Sequence, residues 1–183
     1  VRKEPESSEI TSFYLRPVDG GPVVAHQPGQ YLGLRLRIDG QEHRRNYSIS
    51  NAPDGQELRI SVKHQAGGLV SGHLHQHVGV GDTLDVFPPA GHFTLQDSDR
   101  PLVLISGGVG ITPTLAMLGQ ALQSGRTVHF IHCARNRAVH AFRDTIDALA
   151  ERHPQFKRFY CYDQPDEGAH AVGLLDEQRL AQW

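Results

Sequence analysis

Three short segments carry residue types suited to holding phosphate and a flat ring. The densest is Gly107-Gly108-Val109-Gly110-Ile111-Thr112-Pro113. It lies between the apolar run Leu102 to Ile105 and a stretch of helical period, Thr112 to Gln123, where a phosphate loop belongs. Glycines let the backbone approach a pyrophosphate with no Cβ in the way. Thr112 is placed to cap the helix, and Pro113 suits a first turn, where no N–H is needed. The helix start then offers free N–H groups and a partial positive charge. Gly108, Val109, Gly110, Ile111, Thr112 and Pro113 are therefore candidate nucleotide-binding residues. Pro replaces the third Gly of the GxGxxG pattern, so on this motif alone a glycine-rich turn without ligand stays open.

The second segment is Arg45-Asn46-Tyr47-Ser48-Ile49-Ser50. Strand alternation puts Arg45, Tyr47 and Ile49 on one face and Asn46, Ser48 and Ser50 on the other. An arginine can hold a diphosphate, an aromatic can stack on a flat ring, and a hydroxyl can bond a ring nitrogen. An ordinary barrel strand with a surface Arg and a core Tyr accounts for the same residues. The third segment, Gly67-Gly68-Leu69-Val70-Ser71, sets glycines and a hydroxyl at a helix start. It reads equally as an anion site or as a turn with a serine cap.

The elements that must position these residues fall into two halves. Leu32, Leu34, Leu36 and Ile38 alternate with Gly33, Arg35 and Arg37, and Leu58, Ile60 and Val62 with Arg59, Ser61 and Lys63. Such alternation marks strands with one face on a core and one toward solvent. Shorter strands are expected at Ile10 to Leu15, Arg45 to Ser50 and Thr83 to Phe87, with a helix at Leu69 to His77. Turn signals between them argue for a small antiparallel barrel. After Asp97 to Pro101 the pattern changes. Leu102 to Ile105 reads as a strand covered on both faces. Helix Thr112 to Gln123, strand Val128 to Cys133, helix Ala141 to Arg152 and strand Phe156 to Tyr162 complete a β-α-β-α-β order. That order builds a parallel sheet through right-handed crossovers. The expected division is residues 1–98 for the barrel and 99–183 for the α/β part.

With 38% hydrophobic and 21% charged residues, the composition is globular, and a formal charge of -2 gives no nucleic-acid or membrane surface. No apolar run reaches the roughly 18 to 20 residues of a membrane span. Cys133 and Cys161 form no metal pattern and read as small thiols in a reducing cytoplasm. His73, His75 and His77 lack a supporting carboxylate or thiol and read as a solvated helix face, so no metal is expected. Arg143, Asp144, Asp147 and Arg152 read as the wet face of a helix.

The motifs RNYS (Arg45 to Ser48), GGLVS (Gly67 to Ser71) and GGVGITP (Gly107 to Pro113), in this order and spacing, resemble the ferredoxin-NADP reductase superfamily over almost the whole chain. Within it the chain is most similar to the reductase half of flavohaemoglobins. The residues behind this are Ile10 to Val23, Pro28 to Leu32, Leu74-His75 and Val139 to Phe142. The resemblance implies an all-β antiparallel FAD-binding barrel followed by an α/β parallel-sheet nicotinamide-binding domain that is incomplete at its C-terminal end. It implies that Tyr31 lies at the adenine and flavin end of the FAD site and that Asn46 is among the cofactor-binding residues. Arg45 would bind the diphosphate, Tyr47 would stack on the isoalloxazine, and Ser48 would sit near flavin N5, so Tyr47 and Ser48 form the catalytic pair. Gly68, Leu69, Val70 and Ser71 would bind phosphate through backbone N–H groups, and Gly108 to Pro113 the NAD(P) pyrophosphate.

The implied activity is hydride transfer from NAD(P)H to FAD. Electrons would pass on to haem in a globin domain that this chain does not contain, in support of nitric oxide dioxygenation. A reductase feeding the iron–sulfur partner of an oxygenase, or a flavin-binding module without turnover, are the competing expectations. Arg135 and Arg137 follow the second parallel strand, where a ribose 2′-phosphate would sit, and lean toward NADPH. The family's sheet order is 3-2-1-4-5, and strand candidates exist here only for the first three positions. A bare edge is therefore expected on the first strand, covered by chain beyond Trp183, another domain or another copy.

Overall fold

The structure, a computed structural model, describes residues 1–183. In the first half, β1 (Arg2–Pro5), β2 (Ile10–Leu15) and β5 (Leu58–Lys63) form one antiparallel sheet in the order β1-β2-β5. A second antiparallel sheet has the order β4-β3-β6, with β3 at Tyr31–Ile38, β4 at Gln41–Ser48 and β6 at Asp85–Val86. The bridge Ile49↔Ile60 joins the two. Leu32, Leu34, Leu36 and Ile38 of β3 point inward with Phe13, Ile60 and Val62, as the alternation requires. Asp39 and Gly40 both have positive φ (50° and 78°), the backbone of a two-residue hairpin turn whose twist matches the flanking strands.

Helix α1 (Leu69–His77) closes one end of this barrel through Val70 and Leu74. Its C-terminus is held from β1: the Lys3 ammonium donates to the carbonyls of His75 (2.7 Å) and Val78 (2.8 Å). A cation there satisfies carbonyls left over at a helix end and meets the negative pole of its dipole.

In the second half, β7 (Leu102–Gly107), α2 (Ile111–Gln123), β8 (Val128–Ala134), α3 (Arg143–Arg152) and β9 (Phe156–Tyr162) follow in alternation, then β10 (Ala171–Val172) and α4 (Glu177–Gln182). The four strands are parallel, in the order β10-β9-β8-β7. The short β10 adds a strand that the sequence reading does not contain, but it joins outside β9, so β7 keeps β8 as its one partner. Leu104 and Ser106 are buried on the α2 side, whereas Val103 and Ile105 are 56% and 50% exposed. Both crossover helices pack on one face, and on the other Trp183 stacks on Phe159 of β9 (5.0 Å between centroids), two strands away.

Helix α3 starts at Arg143 rather than Ala141, because Phe142 sits in the left-handed region (φ 62°). Two residues read as its wet face are not. The Arg143 guanidinium donates to the Tyr162 hydroxyl (2.6 Å) and to the carbonyls of Glu167 and Gly168. Asp147 accepts from Tyr160 (2.8 Å) and pairs with Arg158. Behind them lies a buried polar row: Ser106 bonds His132 Nδ1 (2.9 Å), the His132 and His140 rings lie 4.4 Å apart, and His140 Nδ1 bonds the Tyr162 hydroxyl (2.8 Å).

The halves pack against each other. Ile10 of β2 belongs to the core of the second half, Arg59 of β5 lies 4.8 Å over the Phe142 ring, and the Ser8 N–H donates to the Ala138 carbonyl (3.0 Å).

Candidate functional site

The ends of β4 and β5 and the starts of α1 and α2 converge on one cleft of about 520 Å³. Arg45, Asn46, Tyr47 and Ser48 form its β4 wall. Gly68, Leu69, Val70 and Ser71 come from α1, and Val109, Gly110, Thr112 and Pro113 from the glycine loop. The three motifs, remote in sequence, thus share one concavity. Three expected residues do not line it. Ile111 is fully buried in the core, since it opens the apolar face of α2. Gly108 opens instead into a neighbouring cavity. Tyr31 pairs with Ser48 across the β3–β4 ladder, while its own ring packs against Gly91.

Three lining residues were missed: Ser61, Lys63 and Gln65. Ser61 and Lys63 follow the polar rhythm of β5 and read as solvent-facing. Ser61 is in fact buried, its hydroxyl 2.8 Å from those of both Ser12 and Ser50.

Each wall has a local cause. Gly67 has φ +70°, and a Cβ on Gly68 would lie 2.6 Å from the Ser71 hydroxyl, so this turn closes only with glycine. The Ser71 hydroxyl accepts from the Gln65 N–H (3.1 Å) and donates to the Gly68 carbonyl (3.3 Å). It fastens the loop rather than capping the helix, so the first-turn N–H groups of α1, which have no intrahelical acceptor, carry no side-chain cap. Thr112 likewise is not the cap expected of it. The helix begins one residue earlier, at Ile111 behind Gly110, and the Thr112 hydroxyl donates to the Val109 carbonyl (2.9 Å). Gly108 takes φ +51°, the left-handed turn that lifts the loop out of β7.

Two helix N-termini therefore face the cleft without side-chain caps. Its walls add two cations, Arg45 and Lys63, and no carboxylate. Arg45 is exposed, makes no ion pair, and donates to the neighbouring Arg44 carbonyl (2.7 Å). Tyr47 is half-buried. Burial pushes its phenol above the ordinary range while the nearby Arg45 charge pulls the other way, so it stands as a neutral aromatic wall. The donor set fits a diphosphate joined to a planar ring: cations and free N–H groups for the phosphates, an aromatic face and a hydroxyl for the ring.

The second cavity, about 260 Å³, lies at the carboxyl ends of β7, β8 and β9. Gly108, Cys133, Ala134, Arg135 and Asp163 line it from the sheet, and Glu9 and Lys63 from the barrel. Open parallel sheets bind ligands at this end. Val109 and Lys63 belong to both cavities, which are therefore adjacent. Arg135, read as a free cation, is paired with Glu9, while the backbone N–H of Arg137 donates to Asp166 (2.7 Å). His75, read as solvated, places Nε2 2.8 Å from the Val62 carbonyl.

An antiparallel barrel and a parallel sheet with a cationic, helix-lined cleft between them define a two-domain frame suited to dinucleotides. The family model for the oxidoreductase FAD-binding domain matches residues 1–95, and that for the oxidoreductase NAD-binding domain matches residues 104–182. The flavohemoprotein of Pseudomonas putida is 69% identical across the whole chain, which spans 47% of that relative's length. The flavohem-like FAD/NAD binding domain of nitric oxide dioxygenase from Vibrio cholerae is 34% identical, with a TM-score of 0.91 over 97% of this chain and 78% of that one. A flavohemoglobin from Malassezia yamatoensis, solved with bound FAD and heme, is 26% identical, with a TM-score of 0.85 over 96% of this chain and 47% of that one. The chain belongs to the FAD- and NAD-binding oxidoreductase domains, as the reductase part of the flavohemoproteins.

Proposed function

We propose that the module moves a hydride from NAD(P)H to FAD and passes electrons to the haem of a globin domain, in support of nitric oxide dioxygenation. The observation that supports this is the adjacency of the two cavities, which share Val109 and Lys63, so that a flavin site on the barrel side and a nucleotide site on the sheet side are neighbours. Bound FAD supplies the chemistry, accepting two electrons as a hydride and releasing them singly. The chain supplies placement. Arg45 would hold the diphosphate with the first-turn N–H groups of Leu69 to Ser71, and Tyr47 would cover the ring. Ser48 would offer a hydroxyl at the reacting end, and the glycine loop Gly108 to Gly110 with Thr112 and Pro113 would take the nicotinamide pyrophosphate. Residues 1–98 form the flavin unit and 99–183 the nicotinamide unit. The same reading sets the module in the cytoplasm, where NAD(P)H is made.

FAD titration of the purified protein tests the cleft. Arg45→Ala should raise the FAD dissociation constant about ten- to a hundredfold, the scale of one charge-assisted phosphate contact. A folded protein that stays colourless in saturating FAD rejects the assignment. Bleaching of bound flavin on adding NADH separates turnover from mere flavin storage. Ser48→Ala should slow anaerobic flavin reduction in stopped flow about tenfold or more, as for loss of one preorganised donor, with FAD affinity nearly unchanged. An unaltered rate removes Ser48 from the catalytic pair.

A further inference from the structure

In dinucleotide-binding sheets, the residue at the end of the second strand meets the adenosine ribose. An acidic side chain takes a free 2′-hydroxyl, and a cation takes a 2′-phosphate. Here that strand is β8, and the residue after it is Arg135, lining the smaller cavity with Asp163. Arg135 is engaged from the other half of the molecule. Glu9, just before β2, pairs with Arg135 through one carboxylate oxygen and with the Lys63 ammonium through the other (3.2 Å). All three side chains line the cavity. Partial burial works to raise the Glu9 pKa, but the bonds from Arg135 and Lys63 outweigh it, so Glu9 is charged at neutral pH.

We infer that Glu9 is a specificity-determining residue: it occupies Arg135 and sets its own carboxylate, with that of Asp163, against a 2′-phosphate, turning the module toward NADH. The inference rests on the nicotinamide reading above. A phosphate entering here has to displace Glu9 from Arg135 and settle beside two carboxylates. A 2′-hydroxyl meets neither obstacle and finds an acceptor in Glu9. The pair is partly open to water, with side-chain exposures of 54% for Arg135 and 28% for Glu9, so the discrimination has the size of a surface ion pair.

Calorimetric titration of the full chain with ADP-ribose and with its 2′-phosphorylated form provides the test. Wild type should bind ADP-ribose more tightly. Glu9→Gln keeps the shape but removes the charge, and should move the affinity ratio toward the phosphorylated probe by about fivefold. Adding Arg135→Ala to that variant should cancel the gain. A ratio unchanged in Glu9→Gln overturns the role of Glu9 and leaves the nucleotide site standing. Failure of wild type to bind either probe overturns the nicotinamide reading, and this inference with it.

Discussion

Gly29→Ala is expected to destabilise the protein by about 3 kcal/mol, combining left-handed backbone strain with overpacking. Gly29 has φ +104°, and a Cβ built on it would run into the Phe93 carbonyl oxygen and lie 2.5 Å from the Met117 methyl. Met117 is flexible and can turn aside, but the Phe93 oxygen is backbone. The site is also a junction, where the turn entering β3, the segment after β6 and α2 of the second half meet. Gly40→Ala is the matched control. Its φ is +78°, with nothing within 4 Å of the added carbon, so it carries strain alone, about 1 kcal/mol. Urea unfolding of both variants measures the difference. Equal losses would mean that the Phe93 segment yields and that packing at this junction is loose.

Stability is also expected to fall by about 2 kcal/mol per buried histidine between pH 6.5 and 5, from His132 and His140. Burial lowers the His132 pKa to about 4. For His140, burial acts first and the neighbouring His132, Arg143 and Arg137 charges add to it, so its pKa is lowered as well. Both rings are neutral in the folded protein, whereas the unfolded chain takes up protons near pH 6.5. Their contribution is therefore complete above that pH and is lost progressively as pH falls toward 4. Asp147, with a lowered pKa, acts in the same direction only at more acid pH, outside this window. Denaturant midpoints at pH 7, 6 and 5 check the slope. Replacing both histidines by Gln should flatten the profile even if it lowers stability at pH 7. A profile as steep as wild type would place the acid sensitivity elsewhere.

What the sequence made legible follows from how each element earns its stability. Strands β3 and β5 alternate cleanly because one face of each is in the barrel core. Strand β4 reaches back to Gln41, four residues before the expected start. Its segment QEHRR has no apolar rhythm and is held by backbone pairing to β3 rather than by burial. Strand β1, RKEP, is charged and hidden for the same reason. The expected strand Thr83 to Phe87 shrinks to Asp85–Val86, where the ladder to β3 ends. In the site, glycines and the β4 motif stood out because few structures need them. Lys63 and Gln65 did not, since a cation on a strand and an amide in a loop have many ordinary uses. Glu9 was invisible as a partner of Arg135, because 126 residues separate them and only the packing of the two halves brings them together.

The β7 run bears on how the chain avoids mispairing while it folds. Leu102 to Ile105 is an uncharged window of high β-propensity, but Asp97, Asp99, Arg100 and Pro101 guard its entrance and Gly107-Gly108 its exit. Charges and chain breakers at both ends shorten the stretch that a half-folded neighbour could pair with before β8 takes its place beside it.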